Sequence, residues 1–162
     1  MRLIIGDYIL DINAEETRYY YTSERYISEG CHCDGCQNYE LATDQITFEV
    51  SKLFEKLGVD IKKPAEVYVN YSENNILCYG GFYHICGEII KGESPWVITS
   101  KTEDTMTSNL AEENMIDIGN KYKIAFQEEC SLLNKNFPRP CIQMEILAYL
   151  PWVIRKPNSY EN

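Results

Sequence analysis

At 162 residues and a net charge of −10, the chain is about one domain long and carries the wrong sign of charge for a nucleic acid or an anionic membrane as its main partner. Apolar residues make up 44% and charged residues 25%, which excludes a disordered or fibrous chain. No apolar run approaches the ~20 residues of a bilayer span, Met1 to Asp7 lacks the apolar core of a signal peptide, and the seven cysteines are too unevenly spaced for a secreted disulfide framework, so the sequence reads as cytoplasmic and reduced.

Leu3–Ile5 and Tyr8–Ile12 predict two short strands around the tight turn Gly6-Asp7. Asn13 followed by Glu16 has the spacing of a capping box and predicts a helix over Ala14–Ser28, broken by Gly30. Ile46, Val50, Leu53, Phe54 and Leu57 fall on one face of a second helix. Thr43 or Asp44 is placed to cap it, and Gly58 stands where a left-handed residue closes a helix.

From Glu66 the period changes to two. Val67, Val69 and Tyr71 alternate with polar neighbours, Ser72–Asn75 turns the chain, and Ile76–Ile90 reads as a long strand. The pair Gly80-Gly81 inside it marks a bulge or a close backbone approach, and a Tyr79–His84 block of this kind can line a groove. Trp96–Thr99 is a short strand, and the polar, acidic residues 101–114 read as a loop or a short surface helix. Tyr122, Ile124 and Phe126 alternate in one further strand, and Ile142, Met144, Ile146, Ala148 and Leu150 in another. Pro151 and Pro157 end the pattern, and residues 156–162 are expected to fray. Helices early and strands late predict a single α+β domain over residues 1–155, with about two or three helices mostly in the N-terminal third and a mainly antiparallel sheet of about six or seven strands.

The chemistry concentrates in Cys31-His32-Cys33-Asp34-Gly35-Cys36. Three readings compete. A structural zinc site needs four ligands, and this triplet supplies three; His84 or Cys86, which share one face of a strand, complete a possible set Cys31, Cys33, Cys36 and His84. A redox role for Cys33 and Cys36 is opposed by Asp34, Glu29 and Glu40, whose charges raise a thiol pKa. The third reading is that the cysteines pack as small hydrophobes around a turn that Gly30 and Gly35 permit, with Asp34 capping the segment that follows. Without a second thiol pair elsewhere, packing is the stronger account. A Cys31 or Cys36 nucleophile with His84 as base and Asn38 or Asn70 as orienter is a weaker possibility, because His84 lies inside a strand. No phosphate-binding loop or dinucleotide fingerprint is present in the sequence.

Four segments, Cys31-x-Cys33-x-x-Cys36-x-Asn38-Tyr39, Leu57-Gly58-Val59-Asp60-x-x-Lys63-Pro64-Ala65-Glu66-Val67, Tyr79-Gly80-Gly81-x-Tyr83-His84 and Leu150-Pro151-Trp152-Val153, resemble in order those of a family of small uncharacterised bacterial proteins. The resemblance implies no catalytic residue or substrate; it implies that the cysteine segment and the Tyr79–His84 strand belong together. With 13 Tyr against 5 Phe, the sequence predicts a non-enzymatic protein-binding module with an acidic, Tyr-rich surface. The competing expectation is a zinc-binding or thiol-dependent protein using the cluster with His84.

Overall fold

The long alternating run from Ile76 becomes the axis of the molecule. The computed structural model, which describes residues 1–119 and 121–162, starts with β1 (Arg2–Ile5) and β2 (Tyr8–Ile12), followed by the helices α1 (Ala14–Ser23), α2 (Ile27–Gly30), α3 (Asp34–Ala42) and α4 (Phe48–Leu57). The strands β3 (Glu66–Glu73), β4 (Ile76–Lys91), β5 (Trp96–Lys101), β6 (Met106–Leu110), β7 (Ile116–Gly119), β8 (Tyr122–Gln127) and β9 (Cys141–Pro151) follow. The architecture is α+β with helices mostly N-terminal.

Seven strands form one antiparallel sheet, six of them in the order β1-β2-β4-β9-β8-β7 and β3 off this path against β4. The 16-residue β4 is long enough to pair with β3 along its first half and β2 along its last. On its other side it pairs with β9 from Ile76↔Pro151 to Cys86↔Cys141. Alternation then sorts the side chains. Leu77, Tyr79, Tyr83 and Ile85 join Ile142, Met144, Ile146 and Ala148 in the core beneath the helices. Phe82, His84, Gln143 and Glu145 belong to the opposite face.

Asn13 caps α1 as its spacing predicts, its side chain accepting from the Glu16 backbone N–H at 3.1 Å. The helix stops at Ser23, short of the expected Ser28. Lys63 Nζ donates to the Tyr21 carbonyl at 2.7 Å and the Ile27 N–H turns to Lys62 O at 3.0 Å, so tertiary partners replace the next helical turn. The amphipathic helix starts at Phe48, not at Thr43 or Asp44, because Thr43–Gln45 forms a 3₁₀ turn and Ile46 is extended. Gly58 ends it at φ 78°, and a Cβ there would stand 2.2 Å from the Ala14 carbonyl oxygen.

Residues 101–114 contain a strand that was not expected, between a short loop and the 3₁₀ turn Glu112–Asn114. Met106–Leu110 pairs with β5 in a two-stranded arm, because its alternating residues find a partner in Trp96–Lys101. The Gly80-Gly81 pair marks a close approach: a Cβ on Gly80 would meet the Tyr68 ring at 2.5 Å. The bulge falls on β3 between Val69 and Tyr71, opposite Tyr79 and Cys78 just before the pair. Residues 156–162 are also tied down in place of fraying. Lys156 pairs with Asp34 at 2.9 Å, and the Glu161 carboxylate accepts from Ser72 Oγ at 2.5 Å and from the Asn74 N–H at 2.8 Å.

The tyrosines are distributed differently from the expected surface. Tyr8, Tyr21, Tyr39, Tyr79, Tyr83 and Tyr122 are buried, while Tyr19, Tyr26, Tyr68 and Tyr71 are exposed. Buried hydroxyls need partners, and here they find one another. Tyr83 donates to Ile61 O at 2.5 Å, so Tyr39 donates to Tyr83 at 2.6 Å and Tyr122 donates to Tyr39 at 3.0 Å. Each bond polarises the next. Tyr39→Phe cuts this relay and strands the Tyr122 hydroxyl. Urea denaturation is expected to show a loss of about 1–3 kcal/mol, and a loss within error of zero would refute the relay.

Candidate metal centre

A sulfur cap builds the cluster. Asp34 does not cap α3; Cys33 does, its Sγ accepting from the Cys36 backbone N–H at 3.4 Å. This is the ordinary N-cap geometry with sulfur in place of oxygen. It puts Cys33 beside the positive end of the helix and brings Cys36 back toward it one turn later. Cys31, in the extended stretch just before, completes the group. The Cys31 and Cys33 sulfurs lie 3.2 Å apart, and all three sulfurs fall within 4.8 Å of one another. Sulfurs on a tetrahedral ion with ~2.3 Å bonds are separated by about 3.8 Å; the Cys31–Cys33 pair is closer than this, and the group as a whole lies close enough to hold one ion.

The thiols differ in their surroundings. Cys33 is exposed, Cys31 half-buried and Cys36 buried. The Cys31 thiol is held below its ordinary range, first by the Cys33 backbone and then by the Cys36 and Cys33 thiols. Burial, with the neighbouring thiols adding to it, pushes Cys36 well up. The acids that were expected to raise the whole cluster are engaged elsewhere. Asp34 pairs with Lys156, Glu29 accepts from the Tyr26 N–H and Glu40 accepts from Ser28 Oγ.

His84, expected as the fourth ligand, is not in the thiol group. Cys31, Cys36 and His84 line one cavity of about 510 Å³, but the imidazole is held by its own neighbours. Its Nε2–H donates to Gln143 Oε1 at 3.2 Å, and its ring stands edge-on to Phe137 at 5.8 Å. Cys86, the other candidate, faces Cys141 across the β4–β9 ladder. The hydrolase arrangement is not assembled either. Asn38 Oδ1 accepts from the Val153 N–H at 2.7 Å, its Nδ2 donates to Pro151 O at 3.0 Å, and Asn70 reaches Cys78.

What joins the cysteine segment to β4 is a different residue, Tyr79. Its hydroxyl donates to Gly35 O at 2.8 Å and accepts from Asn38 Nδ2 at 3.1 Å. The cluster, the Tyr79 strand and Pro151–Val153 therefore meet at Asn38. Sequence reasoning missed a second polar group, Gln127, Gln143 and Glu145, all buried on the sheet face away from the helices. The signal was present in β9, where polar residues occupy the alternate positions 143 and 145.

No family model, no curated protein and no solved structure matches this chain. No helix among the described residues is long and apolar enough to cross a membrane.

Two measurements probe this geometry. Under native conditions Cys31 is expected to react with an alkylating agent faster than Cys130, whose thiol burial and the facing Cys141 push up to about 12. Equal rates, resolved by peptide mass analysis, would refute the assigned environments. The second concerns His84, which burial holds below the ordinary value of 6.5. The unfolded chain binds this proton more readily, so the group's contribution is complete above pH 6.5 and declines as pH falls through 6.5 toward the folded-state value. Urea midpoints of the native protein should drop more steeply over that window than those of His84→Asn. Parallel profiles would contradict a buried, neutral imidazole.

Proposed function

We propose that this protein binds a soft divalent metal ion, zinc first, through Cys31, Cys33 and Cys36. The observation that carries the reading is the convergence of three sulfurs within 4.8 Å at the start of α3. Thiolate sulfur suits zinc over the hard oxygen-seeking cations. The Cys36 N–H on Cys33 Sγ is the kind of outer hydrogen bond that holds a ligating thiolate in place. Tyr79 and Asn38 fix the loop from behind, so the site is set on rigid elements. Three thiolates leave the fourth position to water or to a ligand from a partner. In this reading His84 supports the cavity wall and does not ligate. The seven cysteines are unpaired, which fits the reduced cytoplasmic setting proposed for the chain.

A second reading keeps the protein as a non-enzymatic binding module. It is favoured by the β5–β6 arm, which carries Val97, Ile98 and Met106 at 45%, 55% and 60% exposure.

Metal analysis of protein purified without chelator decides the first reading. Roughly one zinc per chain is expected, with a thiolate-to-cobalt charge-transfer band after cobalt replacement. Cys33→Ser should weaken zinc binding by more than about tenfold. Metal far below one per chain, together with no cobalt band, would overturn it.

A further inference from the structure

The sheet face turned away from the helices holds a cavity of about 730 Å³, roofed by the β5–β6 arm. Its floor is legible from strand register. Glu66, Phe82 and Glu145 stand side by side across β3, β4 and β9, with Tyr68 and Gly80 in the neighbouring row. Because Gly80 has no side chain, the Tyr68 ring lies down against β4 in the space a Cβ would take. Trp96, Ile98 and Met106 close over this floor from the arm.

Glu145 is the anomaly. It is 2% exposed, and no Lys, Arg or His pairs with it among the described residues. Three neutral donors reach it instead: Trp96 Nε1 at 3.2 Å, Gln127 Nε2 at 2.5 Å and Gln143 Nε2 at 2.6 Å. All three converge on Oε1. Among the described residues nothing donates to Oε2. Burying a carboxylate without a cation is costly, and hydrogen bonds from amides and an indole offset only part of that cost. Holding three side chains on one oxygen while the other has no donor is the arrangement of a receptor for a positive charge.

The remaining lining agrees. Glu66, Glu128 and Glu129 add negative charge around the cavity. Burial raises the Tyr68 phenol above its ordinary range, and the Glu145 and Glu66 charges add to that rise, so both carboxylates are felt at the Tyr68 ring. The volume is that of a small-molecule site, and its lining divides about evenly between aromatic or apolar side chains (Tyr68, Phe82, Trp96, Ile98) and polar ones. Metal binding is not the match: one carboxylate oxygen backed by amides is a poor ligand set for a hard cation, and the metal-competent cluster of this chain is the cysteine group. Aromatic faces beside a carboxylate recognise an organic cation.

We propose that this cavity binds a small alkyl-guanidinium or alkyl-ammonium compound, its charged head on Glu145 Oε2 and its alkyl part between Tyr68, Phe82 and Trp96. The site is separate from the cysteine cluster and does not depend on it.

Butylguanidinium and its neutral isostere butylurea test this on the full chain. Trp152→Phe leaves Trp96 as the sole indole reporter, and calorimetry gives affinity independently of fluorescence. Butylguanidinium should change Trp96 emission saturably, with butylurea at least about tenfold weaker. Glu145→Gln should weaken the guanidinium by about tenfold or more and leave butylurea unchanged. Tyr68→Leu, at a half-exposed position where folding is not at stake, should weaken it by about threefold, with the circular dichroism spectrum intact. Equal binding of the two compounds, no saturation in the millimolar range, or an unchanged affinity in folded Glu145→Gln or Tyr68→Leu overturns the proposal.

Discussion

The antiparallel register of β4 on β9 is the constraint from which both candidate sites follow. It runs unbroken from Ile76↔Pro151 to Cys86↔Cys141, and side chains along each strand alternate between two faces. Tyr79 and Tyr83 therefore point into the helical layer, where Tyr79 holds the cysteine loop and Tyr83 ends the hydroxyl relay. Phe82 and His84, on either side of Tyr83, must point the other way, onto the face that carries Gln143 and Glu145. A slip of one residue would exchange the two sets. It would bury a carboxylate beneath the helices and remove the anchor of the thiols, so the register is strongly specified from both sides.

The helical layer is held to this sheet by hydroxyls as much as by apolar contact. Phe in place of Tyr39, Tyr79 or Tyr83 would fill nearly the same volume, yet the oxygen atoms connect elements that are distant in sequence. Tyr39 of α3 meets Tyr83 of β4 and Tyr122 of β8, while Tyr79 spans from β4 to Gly35. Directional bonds of this kind fix the rotation of a short helix on a sheet, which non-directional burial alone does not. α3 has nine residues, with Cys33 as its N-cap and Cys36 in its first turn. The spacing of the sulfurs thus depends on how Tyr39 and Tyr79 seat that helix.

The sequence made the strands and the capped helix starts legible because those depend on local pattern. Asn13 at its capping position and Gly58 at its left-handed one could be read from neighbours alone, and both stand where their spacing places them. What was lost depends on distant partners. α1 ends early because Lys63, some forty residues on, takes the Tyr21 carbonyl. Residues 106–110 form a strand only because 96–101 lie beside them. The tail is held because Lys156 and Glu161 reach Asp34 and the β3–β4 turn. Tyrosine count pointed to a wet surface, and composition cannot distinguish that from a core in which hydroxyls satisfy one another. The three sulfurs were visible as a group, but the cap that orients them was assigned to Asp34, since a thiol is a rare N-cap. His84 was drawn to them by its chemistry, whereas the alternation of β4 gives its ring to Gln143.

Gln143 links His84 of one cavity to Glu145 of the other. Its Oε1 accepts from His84 Nε2 and from the Ser131 N–H at 2.7 Å, which fixes the amide so that Nε2 points at Glu145. The carbonyl end of this side chain thus holds His84, which lines one cavity with Cys31 and Cys36, and its amino end supports the carboxylate of the other cavity. An amide held at both ends cannot flip without breaking all three bonds. The imidazole must then keep a hydrogen on Nε2 in either charge state, and its protonation changes the field at Glu145 without reorienting anything between them. The coupling this permits is electrostatic and short-ranged, passing through one side chain, with no movement of the sheet required.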